Sequence, residues 1–325
     1  MITLASALNR ALHSALEEDP RVLVMGEDVG ALGGVFRVTD ELQKKFGEQR
    51  VFDTPLAESG IIGTAIGLAL RGYRPVCEIQ FDGFVYPAFD QIVSQLAKLR
   101  ARSGGALSLP VVIRIPSGGG IGAVEHHSES NEAYFAHTAG LRVVACSDPN
   151  DAYWLLRQAI ASDDPVIFYE PKRLYWEKGT VTANAPADGS VSLDSAAVIR
   201  GGRDLTLIGY GSTVHTCLGA AEIASEEGRE LEVINLRSLS PIDIGTVAAS
   251  VARTGRCVVV HEAPTFLGVG SELSAQITER CFYSLEAPVL RVGGFNVPYP
   301  PALLEHHYLP DIDRALDAVD RAFAW

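Results

Sequence analysis

One rhythm restricts the fold more than any other feature of this chain. Short runs of β-branched and aliphatic residues alternate with segments of helical period, the pattern of α/β domains built on mostly parallel sheets. The spacing predicts strands at Arg21–Met25, Val51–Asp53, Pro75–Gln80, Pro110–Ile115, Arg142–Ser147 and Val166–Glu170. Between them it predicts helices at Glu58–Tyr73, Tyr86–Arg102 and Asn150–Ser162, the last capped by Asn150 or Asp151. The opening stretch MITLASALNRALHSALEEDP reads as an amphipathic helix. From residue 172 the rhythm fails, and a polar, Gly- and Ala-rich stretch runs to residue 203. It then resumes with strands at Leu205–Gly209, Glu232–Asn235, Cys257–His261 and Val289–Val292 and helices at Thr213–Glu227, Ile242–Arg253, Gly270–Leu285 and Asp311–Phe323. The expected organisation is two three-layer α/β domains, residues 1–175 and 204–325, joined by a linker over 176–203.

Charge narrows the function. With 27 basic against 40 acidic residues the net charge is −13, which argues against a general electrostatic grip on nucleic acid or an anionic membrane. The longest strongly apolar uncharged stretch, Ser59–Leu70, falls well short of the roughly 20 residues that span a bilayer. Five cysteines (Cys77, Cys146, Cys217, Cys257, Cys281) form no CxxC pair and read as reduced core thiols of a cytoplasmic chain. The opening helix lacks the basic start and cleavage site of a signal peptide.

Several segments could carry chemistry. In DTPLAESGIIGTAIG, from Asp53, a strand end runs into a helix with Glu58 in its first turn and glycines 60, 63 and 67 on one face. Such a face suits close approach of another helix, and the acid suits either a site or the helix dipole. SGGGIGAVEHHSES, from Ser117, joins a glycine run to paired histidines, as an active-site rim or a solvated loop. Its glycines match neither common phosphate-binding pattern. EIQFDGFVYPAFDQ, from Glu78, leaves a strand through aromatics that suit a core, yet Gln80 and Asp82 stand where α/β sheets place ligand contacts. GYGSTV at 209–214 is a near-miss for a dinucleotide fingerprint, and HEAP at 261–264 suits a site or a seam between subunits.

Seven strings occur in one order: GEDVG (26–30), GGVFRVTDEL (33–42), TPLAESGIIG (54–63), EIQFDGFVYPAFDQIV (78–93), EHHSESNEAYFAH (125–137), EPKRLY (170–175) and HEAP (261–264). Together they resemble the β-subunit of the thiamine-diphosphate-dependent decarboxylase component of 2-oxoacid dehydrogenase complexes. GGVFRVT, EIQFDGF and HHSES are most similar to branched-chain 2-oxoacid enzymes of actinobacterial type, with pyruvate and acetoin dehydrogenases as near relatives. The resemblance implies a pyrimidine-binding domain followed by a transketolase C-terminal-like domain. It also implies that Glu58 is the acid that hydrogen-bonds N1′ of the cofactor's aminopyrimidine, and that Leu56, Gln80 and Phe84 line that pocket. Phe84 replaces a tyrosine of the mammalian enzymes, and a hydroxyl contact goes with it. His127 is implied to supply a proton during acyl transfer to the lipoyl group. Glu129 stands where the family's HSQS-like motif carries glutamine, and its charge would favour protonated His127.

Enzymes of this kind hold the diphosphate through a divalent metal with a GDG…NN motif, and neither GDG nor NN occurs in this sequence. The resemblance therefore puts Mg²⁺ and the diphosphate on a partner α-subunit in an α2β2 heterotetramer, with the active site between chains. It also implies docking to the lipoyl acyltransferase core of the complex, and a K⁺ ion held by backbone carbonyls near Pro110–Ile115 and around Cys146, Asp148 and Asn150. Two alternatives of other classes are a non-catalytic assembly subunit, suggested by HSES, and a nucleotide-binding oxidoreductase domain built on Gly209–Val214.

Overall fold

The computed structural model describes residues 1–183 and 191–325. Two sheets organise it. The larger has the strand order Ser238–Ser240, Arg142–Ala145, Val166–Pro171, Val112–Ser117, Arg74–Glu78, Val22–Gly26, Val51–Asp53. Its last six strands are parallel, and their interiors are buried on both faces as parallel sheets require. The smaller sheet runs Leu290–Gly294, Cys257–Pro264, Leu205–Gly209, Leu231–Asn235, Ala197–Arg200, with only the last strand antiparallel.

Helices cover the faces as the apolar spacing dictates. In Leu4–Glu18 the leucines at 4, 8, 12 and 16 fall on one stripe, all buried, and pack against the Pro149–Ala161 helix. Thr3 caps that first helix by accepting the Ser6 N–H at 3.1 Å. Helix Glu58–Leu70 buries Ile61, Ile62, Ala65, Ile66 and Ala69 beneath the larger sheet. This apolar cluster does not stop at the domain boundary. It runs from Ile62 and Ile92 through Val143 to Ile208, Val259 and Ile277, so the two sheets share a core.

The described structure departs from the sequence expectations in four places. The helix expected over Tyr86–Arg102 is a 3₁₀ segment Asp82–Ala88 containing Pro87, a π-helical stretch Gln91–Leu96 and a short α-helix Ala97–Arg102. Pro87 lacks an N–H, and the tighter 3₁₀ turn suits it in the entry turns. The cap of the Pro149–Ala161 helix is Asp148, not Asn150 or Asp151: its carboxylate accepts the N–H groups of both, at 2.7 and 2.9 Å. Part of the expected linker is sheet, since Ala197–Arg200 pairs with Leu231–Asn235 and Lys178–Gly179 with Ile2–Thr3. Ser238–Ser240 crosses over to join the other domain's sheet beside Arg142–Ala145. These edge pairings are too short to leave a pattern in the sequence.

At the centre of the larger sheet sits Arg114, fully buried. Its guanidinium donates bidentately to Glu170 (2.6 and 2.8 Å) and to Glu78 at 2.7 Å, clasping the strands on either side of its own. The Tyr175 hydroxyl donates to the same Glu170 at 2.8 Å. Burial pushes the Glu78 carboxyl up, and Arg114 opposes that shift. Removing the cation strands two carboxylates in the core. Arg114→Met is therefore expected to lower stability by about 3–5 kcal/mol in urea titrations, and a loss below about 1 kcal/mol would contradict the role given to the cluster.

Candidate active site

Ligand contacts in a parallel sheet gather where strands end. At the carboxyl ends of Val22–Gly26, Val51–Asp53 and Arg74–Glu78 the chain brings together Glu27, Asp28, Glu58 and Gln80. Glu58 opens its helix, half-buried. Glu27 is buried at 8% exposure, and its carboxyl is pushed up first by that burial, then by the charges of Glu58 and Asp28. Gln80 donates to Asp28 Oδ2 at 3.1 Å and to the Glu27 carbonyl at 3.4 Å. Asp28 has φ +57°, a conformation uncommon outside glycine that turns it toward the cluster. Leu56 lies at the rim, 77% exposed. Sequence reasoning missed Glu27, although the GED at a strand end was its signal.

Phe84 and His127 form a second group beside that cluster, on turns that pack against one another, the Phe84 segment also packing against the Glu58–Leu70 helix. The 3₁₀ turn Glu125–His127 sets the His127 ring flat on Phe81, centroids 3.9 Å apart and planes 3° off parallel, with Phe84 edge-on at 5.0 Å. Among the described residues, no group hydrogen-bonds the buried Nδ1 of His127. The Glu129 carboxylate accepts the Tyr86 hydroxyl at 2.7 Å. Phe81 went unnoticed because one aromatic among four in its segment carries no mark of its own. Beneath it, Lys172 and Asp82 form a fully buried pair at 2.6 Å, with Lys172 Nζ 5.9 Å from the Phe81 ring. Burial pushes Asp82 up to about 7 against the pull of Lys172, and pushes Lys172 down.

The glycine run meets carboxylates of the second domain. Gly119 N–H donates to Glu262 Oε2 at 3.0 Å, and Gly120 and Gly122 donate to the two oxygens of Glu305 at 2.7 and 3.0 Å. HEAP is thus part of a seam within the chain. The 209–214 loop belongs to the same seam, since Tyr210 donates to buried Glu132 at 2.6 Å and Ser212 to Glu262. These contacts engage the loop that nearly matches a dinucleotide fingerprint. A cavity of about 30 Å³, enough for a water or two, lies between Ser117, Glu132, Tyr169, Tyr210 and Glu262.

Two other expectations meet the geometry differently. The glycine face at 60, 63 and 67 has no close neighbour within the described chain: a Cβ at Gly67 would meet nothing within 4 Å, and at Gly63 only Gln91 at 3.9 Å. For the K⁺ ion, the register puts Val112 and Arg142 level with Val166. Pro110 and Cys146 then lie roughly 20 Å apart along the strands, and Ile115 stands a full intervening strand, about 10 Å, from Ala145. One ion cannot bind both segments. The Asp148 carbonyl accepts the Ala152 N–H at 2.9 Å, and the Ser147 carbonyl accepts from His215 at 2.9 Å.

The residues present fit half of a thiamine-diphosphate site. A carboxyl at the edge of solvent, an acid beside it, an amide, an exposed leucine and an aromatic wall suit an aminopyrimidine. The glycine loop offers no cradle to a diphosphate, because the chain's own carboxylates fill it.

The family model of the transketolase pyrimidine binding domain matches residues 1–177, and that of the transketolase C-terminal domain matches residues 194–314. The chain is 60% identical over 324 residues to a pyruvate dehydrogenase E1 component subunit beta of Leifsonia xyli subsp. xyli, covering 100% of this chain and 95% of that one. It is 58% identical over 321 residues to a 3-methyl-2-oxobutanoate dehydrogenase subunit beta of Mycobacterium tuberculosis, covering 98% and 91%. To a 2-oxoisovalerate dehydrogenase subunit beta of Pseudomonas aeruginosa the identity is 47% over 323 residues, covering 95% and 91%. A solved structure titled split gene transketolase, inactive beta4 tetramer, shares the fold with a TM-score of 0.81 at 23% identity, covering 99% of this chain and 98% of that one. Among the described residues no helix is long and apolar enough to cross a membrane.

The second domain has a titratable signature of its own. His261 is fully buried, its Nδ1 2.9 Å from the Ala263 carbonyl, and burial pushes its pKa from 6.5 down to about 4. Below pH 6.5 the unfolded chain takes up a proton that the folded chain refuses until about pH 4. Stability from this group is full above pH 6.5 and is lost as pH falls through that window, by up to ~3 kcal/mol. Chemical denaturation at pH 7 and pH 4.5 should show a smaller pH loss for His261→Gln than for the natural chain, and equal losses would contradict the assignment.

Proposed function

The chain belongs to the β-subunit family of thiamine-diphosphate-dependent 2-oxoacid dehydrogenase components, an oxidoreductase family, and on that premise we propose that it acts with an α-subunit, as α2β2, in the oxidative decarboxylation of a branched-chain 2-oxoacid. The acyl group passes to the lipoyl group of an acyltransferase core, in the cytoplasm. The observation that carries the reading is the Glu27–Glu58–Gln80 group at three parallel strand ends, with a carboxyl poised at the edge of solvent.

In this reading Glu58 hydrogen-bonds N1′ of the aminopyrimidine, with Leu56, Gln80 and Phe84 around it. When bound, thiamine diphosphate would supply a nucleophilic thiazolium carbon and, in its cationic ring, an electron sink for decarboxylation. Glu58 holds and moves the proton at N1′. Glu27, its carboxyl pushed up by burial, keeps its own proton more readily and so places less negative charge beside Glu58. His127, its ring plane fixed by Phe81, delivers a proton to the opening dithiolane. The α-subunit supplies the Mg²⁺ and diphosphate site, and the open glycine face at 60, 63 and 67 supports close helix packing between subunits. Net acidity suits docking to a basic domain of the core.

Branched-chain specificity is supported by the names of the Mycobacterium and Pseudomonas relatives, whereas the 60% identical Leifsonia relative favours pyruvate as a second reading. With the co-expressed α/β pair, kcat/KM for 2-oxoisovalerate and 2-oxoisocaproate should exceed that for pyruvate by about tenfold or more. The reverse order would establish the pyruvate reading. In the same assay Glu58→Gln should lower decarboxylation by about 10²–10⁴-fold, and a variant at full rate would remove Glu58 from the mechanism.

A further inference from the structure

The glycine loop is a built anion receptor whose anion is internal. Gly118, Gly120 and Gly122 have φ of +77°, +90° and +69°, separated by Gly119 and Ile121 at ordinary φ. This alternation turns successive N–H groups inward, as in the concave nests that bind anions. Glu305, 8% exposed, fills the receptor with both carboxylate oxygens, one taken by Gly120 and one by Gly122. The Tyr299 hydroxyl donates to Oε1 of the same carboxylate at 2.6 Å. The fit leaves no room for side chains at Gly119 and Gly120. A Cβ at Gly119 would collide with the Tyr299 hydroxyl, and one at Gly120 would lie 2.8 Å from Arg173 Cδ, at a φ that already disfavours it.

The His127 turn, by contrast, is tied mainly to itself. His127 N–H donates to the Val124 carbonyl at 3.0 Å and Ser128 N–H to the Glu125 carbonyl at 2.9 Å. Its position is set by the ring contacts with Phe81 and Phe84 and by the two ends of the loop. Near its return, Gly118 N–H donates to the Glu129 carbonyl at 3.0 Å, and buried Asn131 holds the Asp82 carbonyl at 2.8 Å. The outgoing end is the glycine run, and Glu305 and Glu262, both from the second domain, hold it. Charge-assisted bonds of this type are about twice as strong as neutral ones.

We propose that Glu305, oriented by Tyr299, is a positioning residue for acyl transfer: by clamping Gly120 and Gly122 it fixes the loop that presents His127 to the lipoyl group. The inference rests on the role given to His127 above, and it makes the second domain part of the acyl-transfer apparatus. Glutamine cannot replace the carboxylate, since its NH₂ would face an N–H where the second oxygen now accepts.

The test uses the co-expressed α/β enzyme with 2-oxoisovalerate or pyruvate and a free lipoyl domain, and compares Glu305→Ala, Glu305→Gln, Tyr299→Phe, His127→Ala and the Glu305→Ala/His127→Ala double variant. Hydrogen exchange at Gly120 and Gly122 should quicken about tenfold or more in Glu305→Ala, and less in Tyr299→Phe. Lipoyl acylation should fall about tenfold in kcat for Glu305→Ala and Glu305→Gln, beyond any loss in dye-coupled decarboxylation, with KM for the lipoyl domain changing less than kcat. Adding Glu305→Ala to His127→Ala should cost less than about twofold more, because the two act through one group. Unchanged exchange, or full acylation in Glu305→Ala where His127→Ala is slow, would overturn the clamp. A silent His127→Ala beside a slow Glu305→Ala would overturn the role of His127 and leave the clamp serving another group of the loop. If both are silent, both assignments fall.

Discussion

A single guanidinium sets the frame on which the candidate site is hung. Arg114 sits at 0% exposure between two carboxylates on neighbouring strands, and its geometry leaves them no other arrangement. Leaving a charge unpaired there is far costlier than the net gain from pairing it, so the register of these three strands is tightly constrained. Their ends launch nearly everything of functional interest. Arg74–Glu78 leads into Gln80, Phe81 and Phe84, Val112–Ser117 into the glycine loop and His127, and Val166–Pro171 into Lys172. A shift in that register would move both groups of the site at once.

The second constraint is the seam between domains. Buried carboxylates of one domain are answered by backbone N–H groups, hydroxyls and a guanidinium of the other: Glu305 and Glu262 by the glycine loop, Glu132 by Tyr210, Asp151 by Arg237 at 2.7 Å. A shared apolar cluster runs alongside. The seam therefore uses up the anion-binding capacity of the glycine loop in holding the fold. What remains open, the Glu58 carboxyl, the Leu56 side chain and the glycine face of the helix that follows, is the surface a partner subunit and half a cofactor require.

Much of the fold was legible because burial on both faces forces continuous apolar strands and one-sided helices, and those periods survive in Val22–Gly26, Glu58–Leu70 or Leu205–Gly209. The edge strands at Ala197–Arg200 and Ser238–Ser240 were not legible, since two or three pairings impose no pattern. Nor was the 3₁₀ and π path through Pro87, where aromatic packing overrides helical period. In the site, the types and order of Glu58, Gln80, Phe84 and His127 carried a resemblance that spacing alone did not. Glu305 lies outside every motif that carried the resemblance, and only the folded chain brings it to Gly120. The partner of Glu129 was equally invisible, because Tyr86 reaches it through the fold and not along the sequence.

On the proposed function, this chain provides the aminopyrimidine half of a thiamine-diphosphate site and depends on a partner for the rest. The decisive measurement is equilibrium titration of the isolated chain with thiamine diphosphate and Mg²⁺, set beside the same titration of the chain mixed with its α-subunit. Saturable, Mg²⁺-dependent binding is expected for the mixture and none for the chain alone at the same concentrations. Equal Mg²⁺-dependent binding by the isolated chain would contradict the proposal.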